Sequence, residues 1–184
     1  MTLSSSPSYT RTAITLHWLV ALTIFAAFPL GLYMHDLPLS PRKLQLYSYH
    51  KWIGISALAL VLVRLLWRRL HRPPVLGDNM PRWQQLAAHS THHLLYLLML
   101  IVPLSGWLMS SALGFTVVWF GVLPLPDLIG KDKELGELLK TVHAFLNYSM
   151  LALVFLHVAA ALEHHFRQGD DTLQRMLPFL GSKS

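Results

Sequence analysis

Long intervals without charged residues divide the chain into apolar segments. No Asp, Glu, Lys or Arg occurs between Thr12 and His35, between Trp83 and Pro126, or between Thr141 and Leu162. A shorter charge-free run extends over 52–63. A helix needs about 20 predominantly apolar residues to cross the hydrocarbon core of a membrane. The pattern therefore predicts four membrane-spanning helices, at about 13–34, 49–68, 88–111 and 141–165.

Two other interpretations of the pattern are less favoured. The first segment has the length of a secretory signal peptide, but three further apolar segments follow it. A soluble four-helix bundle would show a polar face on each helix, and the segment AITLHWLVALTIFAAFPLGLYM has almost none. The predicted fold class is all-α, an integral membrane four-helix bundle, in a single domain spanning 1–184. The second span is the weakest because it carries Arg64.

The basic residues predict how the bundle is oriented, because Lys and Arg favour the cytoplasmic side of short loops. With the N-terminus inside, the inner segments hold Arg11, Arg68, Arg69, Arg72, Arg82, Arg167, Arg175 and Lys183. The outer segments then hold Arg42, Lys43, Lys51, Lys131, Lys133 and Lys140. The larger inner set, and above all the dense WRRLHR cluster after the second span, predicts that both termini are cytoplasmic.

This topology defines three connecting segments. The sequence predicts a short outer loop over 35–48 and an inner loop over 69–87 with several prolines. The outer segment 112–140 is longer. Its apolar first half, ALGFTVVWFGVLPLP, is expected in the membrane interface or packed on the bundle, and its polar second half, DLIGKDKELGELLK, as a short surface helix.

The amino-acid composition excludes several classes of function. The chain has no cysteine, which excludes disulfides, thiolate metal sites, iron–sulfur clusters and covalently attached c-type haem. The net charge of +6 could by itself suggest nucleic acid as a partner. The basic residues do not form a stripe interleaved with aromatic residues, so we predict no nucleic-acid binding.

Histidines within the apolar segments are the main candidates for chemistry, since ionisable groups in membrane spans usually serve function. His143 and His157 are 14 residues apart, which places them on one helix face at two depths about 21 Å apart. Because successive helices alternate in direction, His50 is level with His143, and His17 lies nearer the level of His157. Two stacked pairs of imidazoles can bind two b-type haems, each through two axial ligands.

Neighbouring residues bear on this hypothesis. Three of the four candidate ligands are followed one helical turn later by a small residue that leaves room for a flat ring: Ala21, Gly54 and Ala161. The fourth, His143, is followed by Asn147, which does not leave such room. Small residues serve helix packing in membranes equally well.

Arg64 lies 14 residues beyond His50, on the same helix face. A bare arginine in lipid is costly, and a propionate of the inner haem would pair with it. The alternative is that Arg64 snorkels to the interface near Trp67 and Arg68.

The other histidines lie at the inner ends of helices or in loops. We interpret His164 and His165, and likewise His89, His92 and His93, as contacts to a quinone or to the haem ligands rather than as axial ligands. A zinc site at His89, His92 and His93 would lack a nearby carboxylate or thiolate. His35 and His71 are expected in loops.

Six segments together resemble the bacterial cytochrome b561 family of small four-helix membrane cytochromes. They are LHWLVAL, HKWIGIS, LVRLLWRRLHRPP, AAHSTHHLLYLL, SGWLMSS and LHVAAALEHHFRQGDDTLQRM. The resemblance covers nearly the whole chain. It implies a multi-pass protein of the bacterial inner membrane with two haem b groups, whose axial ligands are His17, His50, His143 and His157.

The resemblance also implies electron transfer between quinone and another donor or acceptor. One branch of the family oxidises superoxide at the outer face and reduces ubiquinone, and this chain differs from that branch in its longer 112–140 segment. The leading hypothesis is a quinone-linked electron carrier with superoxide as donor. In it, Arg42, Lys43 and Lys51 attract the small anion, and the quinone binds near His164 or His165.

Two alternatives remain open. The chain could be a haem-bearing relay or anchor subunit that passes electrons between quinone and a periplasmic protein docked on 112–140. A transporter or structural membrane protein without a cofactor would give a colourless preparation.

Overall fold

The computed structural model describes residues 9–71, 74, 81–169 and 173–177. Within them the chain forms four long helices and one short β-hairpin. The helices are α1 (Arg11–Asp36), α2 (Pro41–Leu70), α3 (Arg82–Ala112) and α4 (Lys133–Glu163). The strands are β1 (Val118–Trp119) and β2 (Leu123–Pro124), between α3 and α4. A π-helical turn, His164–Gln168, continues α4.

Side-chain caps determine where three of the helices begin. Thr10 accepts a hydrogen bond from the amide of Ala13 at the start of α1, and Asp132 accepts one from Leu135 at the start of α4. Ser40 accepts one from Lys43, and Pro41 is the first residue of α2, where proline suits a helix. These caps satisfy backbone amides that have no partner within the helix.

The caps also correct two predictions. The predicted outer loop over 35–48 was wrong in extent, because the cap at Ser40 starts α2 well before the membrane-spanning part and leaves only 37–40 between the helices. The polar half of 112–140 forms no separate surface helix. Its residues from Lys133 onward are the first turns of α4, capped by Asp132.

At the other end, α3 begins at Arg82, earlier than its predicted span. Of the inner loop expected over 69–87, residues 72, 73 and 75–80 lie outside the described residues, and so does Lys183.

The bundle is suited to a membrane. Three helices are long and apolar enough to span one: α1, α3, and α4 together with its π turn to Arg167. The remaining helix, α2, was the weakest predicted span and carries Arg64 and basic residues at both ends. Phe145 and Phe155 on α4 are 70% and 72% exposed, which lipid tolerates far better than water.

The helices alternate in direction. α1 packs along α2, α3 packs along α4, and a smaller contact between α2 and α3 joins the two pairs. We call the end that carries the starts of α1 and α3 the terminal end, and the opposite end the hairpin end. Between them, Leu98, Val102 and Met150 form the buried apolar core.

The β-hairpin at the hairpin end was not predicted as strand. Val118 pairs with Pro124 and Trp119 with Leu123, and the turn between the strands has positive φ at Phe120 (52°) and Gly121 (72°). Glycine adopts such angles freely, whereas Phe120 is strained there. The strands are too short to have shown an alternating pattern in the sequence.

Tryptophan N–H groups attach the hairpin segment to the bundle. Trp52 on α2 donates to the carbonyl of Val118 (2.7 Å), and Trp107 on α3 donates to that of Pro126 (3.1 Å). Trp119 of the hairpin itself donates to the hydroxyl of Ser56 (3.2 Å). The apolar half of 112–140 therefore packs on the bundle, which was one of its two expected positions.

Candidate functional site

The structure brings the four candidate ligands together in the predicted pairs. His50 on α2 faces His143 on α4 near the hairpin end, with ring centroids 6.3 Å apart. His17 on α1 faces His157 on α4 near the terminal end, also at 6.3 Å. In the first pair the ring planes are nearly perpendicular, at 86°, and in the second they are tilted by 56°.

The distance between the rings fits one metal ion in each pair. A metal bound at about 2 Å from one nitrogen of each imidazole separates the two ring centroids by about 6 Å. Rings in direct contact lie closer, as His92 and His157 do at 5.3 Å. Each pair is therefore spaced to hold an iron between its imidazoles.

Backbone carbonyls orient the rings of the hairpin-end pair. Nδ1 of His50 lies 3.1 Å from the carbonyl oxygen of Ala27, and Nδ1 of His143 lies 3.1 Å from that of Val102. A carbonyl can only accept, so the proton is on Nδ1 and the lone pair is on Nε2. Metal-binding histidines commonly have this arrangement. The hydroxyl of Ser105 is a second neighbour of His143 Nδ1, at 2.9 Å.

Two glycines allow the same rings to approach the neighbouring helices. A Cβ atom on Gly31 would lie 3.2 Å from Cε1 of His50, and one on Gly106 would lie 3.0 Å from Cε1 of His143. Each glycine is four residues after the carbonyl that orients the ring. Sequence reasoning missed both. It named Gly54 as leaving room for a flat ring, and the space beside Gly54 is open, since an added Cβ there would meet no atom within 4 Å. The available signal was a glycine just after a proline within an apolar span.

Every helix contributes one residue to each of two layers, and the two residues are 14 positions apart. The hairpin-side layer consists of Gly31, His50, Gly106 and His143. The terminal-side layer consists of His17, Arg64, His92 and His157. Fourteen residues make nearly four whole turns, so all four helices present both layers to the interior about 21 Å apart.

Arg64 is held inside the bundle. Its Nε donates to the hydroxyl of Tyr96 on α3 (2.9 Å), and its Nη1 donates to the carbonyl of Ala13 on α1 (3.2 Å). Ala13 is one helical turn before His17 on α1. The guanidinium therefore bonds to the first turn of α1. Pairing with a propionate and snorkelling toward the terminal end both remain open.

His92 belongs to the site more closely than the sequence indicated. Its ring makes an edge contact with His157 at 5.3 Å. Nearby, Nδ1 of His93 bonds to the carbonyl of His89 (2.7 Å), within the same helix. The three histidines in the first half of α3, His89, His92 and His93, therefore have different surroundings. Of these three, His92 is the one in contact with a candidate ligand.

His164 and His165 lie in the π-helical turn that ends at Gly169, where φ is 67°. Such turns often occur at functional sites. The Nδ1 atom of His165 is buried and has no hydrogen-bond partner in the described part of the chain. The same is true of Oε1 of Gln84.

These two atoms belong to the same level of the bundle. His92 lies beside His157, and continuing this antiparallel register by eight residues brings Gln84 level with His165. Gln84 carried no signal in the sequence, because one amide side chain in an apolar segment is unremarkable by itself.

The basic residues proposed to attract an anion have structural contacts as well. The ammonium group of Lys43 donates to the carbonyls of His35 and Leu37 at the end of α1. Lys51 donates to the carbonyl of Phe115 (3.3 Å), and Arg42 lies over the ring of Tyr33 (5.9 Å). All three remain at the hairpin end, and each has a different contact there.

A membrane bundle with two layers of facing imidazoles belongs to the class of helical membrane proteins that can hold iron porphyrins in their core. The model of the family described as prokaryotic cytochrome b561 matches residues 8–179. The chain belongs to this family of membrane haem proteins. It is accordingly a bacterial membrane protein, and its cofactor is haem b.

Several curated relatives match over nearly their full length. Cytochrome b561 homolog 2 of Escherichia coli is 32% identical over 179 residues, which cover 96% of this chain and 95% of the relative. Cytochrome b561 homolog 1 of the same organism is 31% identical, with 92% and 97% covered. The probable superoxide oxidase CybB of Yersinia pestis is 30% identical, with 92% and 96% covered.

The close approach at Gly106 leads to the first prediction. Gly106→Ala places a methyl group against the ring of His143, and overpacking of this kind costs about 1–3 kcal/mol. We expect a lower Tm and a lower ratio of haem b to protein, measured by pyridine haemochrome on the purified protein. Gly130→Ala is the control, because an added Cβ there meets no atom within 4 Å. Equal haem content in the two variants would contradict the assignment of Gly106 as a contact of the His143 ring at a haem site.

Proposed function

We propose that this chain is a di-haem b cytochrome that takes electrons from superoxide at the hairpin end and delivers them to ubiquinone at the terminal end. The observation that carries the proposal is the presence of two imidazole pairs with the same 6.3 Å spacing, stacked along one bundle. In this proposal His50 and His143 bind one haem, and His17 and His157 bind the other.

The imidazole pairs would hold haem b, which would supply one-electron transfer there rather than oxygen binding. The chain's own residues support this chemistry. Ala27 and Val102 hold the hairpin-side imidazoles with Nε2 free to bind metal, and Gly31 and Gly106 leave room for the rings. Arg64 is the partner for a propionate of the terminal-side haem.

The proposed location is the bacterial inner membrane, crossed four times, with the terminal end in the cytoplasm and the hairpin end in the periplasm. The basic residues at the ends of the helices support this orientation. The donor would then react outside the cell membrane, and the quinone would be reduced near the inner leaflet.

Superoxide as donor is supported by the name of the relative from Yersinia pestis and by the basic residues Arg42, Lys43 and Lys51. Two superoxide ions would each lose one electron to give two molecules of oxygen. One ubiquinone would gain the two electrons and two protons from the cytoplasmic side to give ubiquinol. Positive charge near the hairpin-side layer attracts the anion and raises its local concentration.

The proposed quinone site lies near the π-helical turn. A quinone ring carries two carbonyl oxygens, which become hydroxyl groups on reduction. The imidazole of His165 can donate to such an oxygen, and Oε1 of Gln84 can accept from such a hydroxyl. Both atoms are buried without a partner in the described residues, and buried polar atoms usually have one. His164 is the adjacent residue in the same turn.

The alternative is a relay subunit that passes electrons between quinone and a periplasmic protein. The β-hairpin favours it, because Phe120 and Val122 at its tip are 57% and 83% exposed. In that case the purified protein would react slowly with both superoxide and soluble quinone.

Ligand replacement tests the haem sites. We expect His143→Leu to remove the hairpin-side haem and His17→Leu to remove the terminal-side haem, because each iron loses one of two ligands. Optical spectra of dithionite-reduced protein and haem quantitation measure the loss. The haem that remains shows that the variant is folded. His35→Ala, at a side chain that is 70% exposed, is the control. Retention of both haems in either ligand variant would refute the pairing.

The reaction itself is tested in two half-reactions. Superoxide should reduce the purified protein, and ubiquinone-1 should reoxidise it. The double variant His165→Leu/Gln84→Leu should be reoxidised by ubiquinone-1 about tenfold more slowly, because it loses hydrogen bonds to the quinone. The rate at which superoxide reduces this variant should be unchanged. Phe166→Leu, at a residue 74% exposed, is the control. If reoxidation is unaffected, the quinone binds elsewhere; if neither half-reaction proceeds, the relay function is favoured.

Charge removal tests the attraction of superoxide. Replacing Arg42, Lys43 and Lys51 by glutamine should lower the stopped-flow rate of haem reduction by about tenfold at low ionic strength and flatten its salt dependence. The control removes three other charges of the same end, Lys131, Lys133 and Lys140. Similar effects in the two triple variants would show that net charge matters and that the position of the first three does not.

A further inference from the structure

A groove of about 290 Å³ opens between α2 and α3 at the terminal end of the bundle. It is lined by Leu65, Arg68, Arg69, His92, His93 and Tyr96. Two of these side chains are guanidinium groups, two are imidazoles and one is a phenol. The groove therefore offers several donors and positive charge to a ligand, and no carboxylate side chain is among its lining residues in the described part of the chain.

The two arginines of the groove are available to a ligand. Arg68 lies over the ring of Tyr96 at 5.5 Å. In the part of the chain that the structure describes, the ion pairs formed by arginine and lysine involve other residues, such as Arg167 with Glu163 and Lys140 with Glu137. Two guanidinium groups with no carboxylate partner among those residues favour an anion.

This groove is separate from the proposed propionate partner. Arg64 donates to the hydroxyl of Tyr96 and to the carbonyl of Ala13 on α1. Both Arg64 and Arg68 lie over the ring of Tyr96, at 5.8 and 5.5 Å. Of the terminal-side layer, His92 lines the groove, whereas Arg64, His17 and His157 do not. Tyr96 contacts Arg64 of the terminal-side layer and Arg68 of the groove.

Apolar residues continue from the groove toward the middle of the bundle. On α2, Leu62 and Leu66 share a helix face with Arg69, and they are 54% and 59% exposed. On α3, Leu97 and Ile101 continue the face of His93 and are 49% and 36% exposed. The surface therefore has a basic head at the membrane boundary and two apolar tracks along the hydrocarbon region.

We propose that this groove binds an anionic phospholipid of the terminal-end leaflet, with its phosphate between Arg68 and Arg69 and its acyl chains along Leu62–Leu66 and Leu97–Ile101. Arginine binds phosphate oxygens in pairs of charge-assisted hydrogen bonds. Basic pockets between membrane helices are suited to such headgroups. A free phosphate ion would use the arginines alone, so the apolar tracks favour the lipid.

The test measures binding of phosphatidylglycerol to the purified holoprotein in detergent by native mass spectrometry. We expect retention of one phosphatidylglycerol and little phosphatidylcholine. The Arg68→Gln/Arg69→Gln variant should bind phosphatidylglycerol about tenfold more weakly, because it loses the charged contacts to phosphate. The affinity of the Arg69→Gln variant for phosphatidylglycerol should lie between those of the wild-type protein and the double variant. Bound lipid should also raise the Tm of the wild-type protein only.

Arg167→Gln is the matched control, since Arg167 is a basic residue of the same end whose side chain is 82% exposed. The proposal is overturned if this control loses as much affinity as the double variant, or if both lipids bind equally. Displacement of the lipid by inorganic phosphate at similar concentration would indicate a free-anion site. Displacement by ubiquinone-1 would indicate a quinone site, and loss of haem from the double variant would indicate a propionate site.

Discussion

The spacing of 14 residues within each helix is the constraint on which the rest of the structure depends. Because this spacing is nearly four whole turns, a straight helix presents two side chains to the interior from the same face at two depths. α4 supplies His143 and His157 in this way, and the other three helices place their residues opposite them. An insertion or deletion of one residue between the layers would rotate one of them by about 100° out of the interior.

The two layers are built from different neighbours. At the hairpin end, glycines and carbonyls surround the imidazoles, so the rings are oriented by close packing and neutral hydrogen bonds. At the terminal end, Arg64 and His92 take the corresponding positions and bring charge and polar atoms. The terminal-side layer therefore has more polar surroundings than the hairpin-side layer, and it lies near the proposed quinone and lipid sites.

The sequence predicted the long helices and both histidine pairs because these depend on periodicity and spacing along one helix. It did not predict Gly31 or Gly106 as contacts of the rings, because that depends on the register between helices. The β-hairpin was missed since two-residue strands have no pattern, and its attachment depends on tryptophans distant in sequence. Gln84 and His165 became a candidate pair only when the antiparallel packing of α3 and α4 placed them at one level.

The hairpin-side layer also has an approximate twofold symmetry that the amino-acid sequence does not display as a repeat. The pair α1–α2 and the pair α3–α4 each consist of a first helix with a proline, a glycine and an accepting carbonyl, and a second helix with the histidine. Applied to the other layer, the same symmetry makes His92 the counterpart of His17, and Arg64 the counterpart of His157. The bundle thus consists of two halves that are equivalent at the hairpin end and differ at the terminal end, where Arg64 in one half takes the position of His157 in the other.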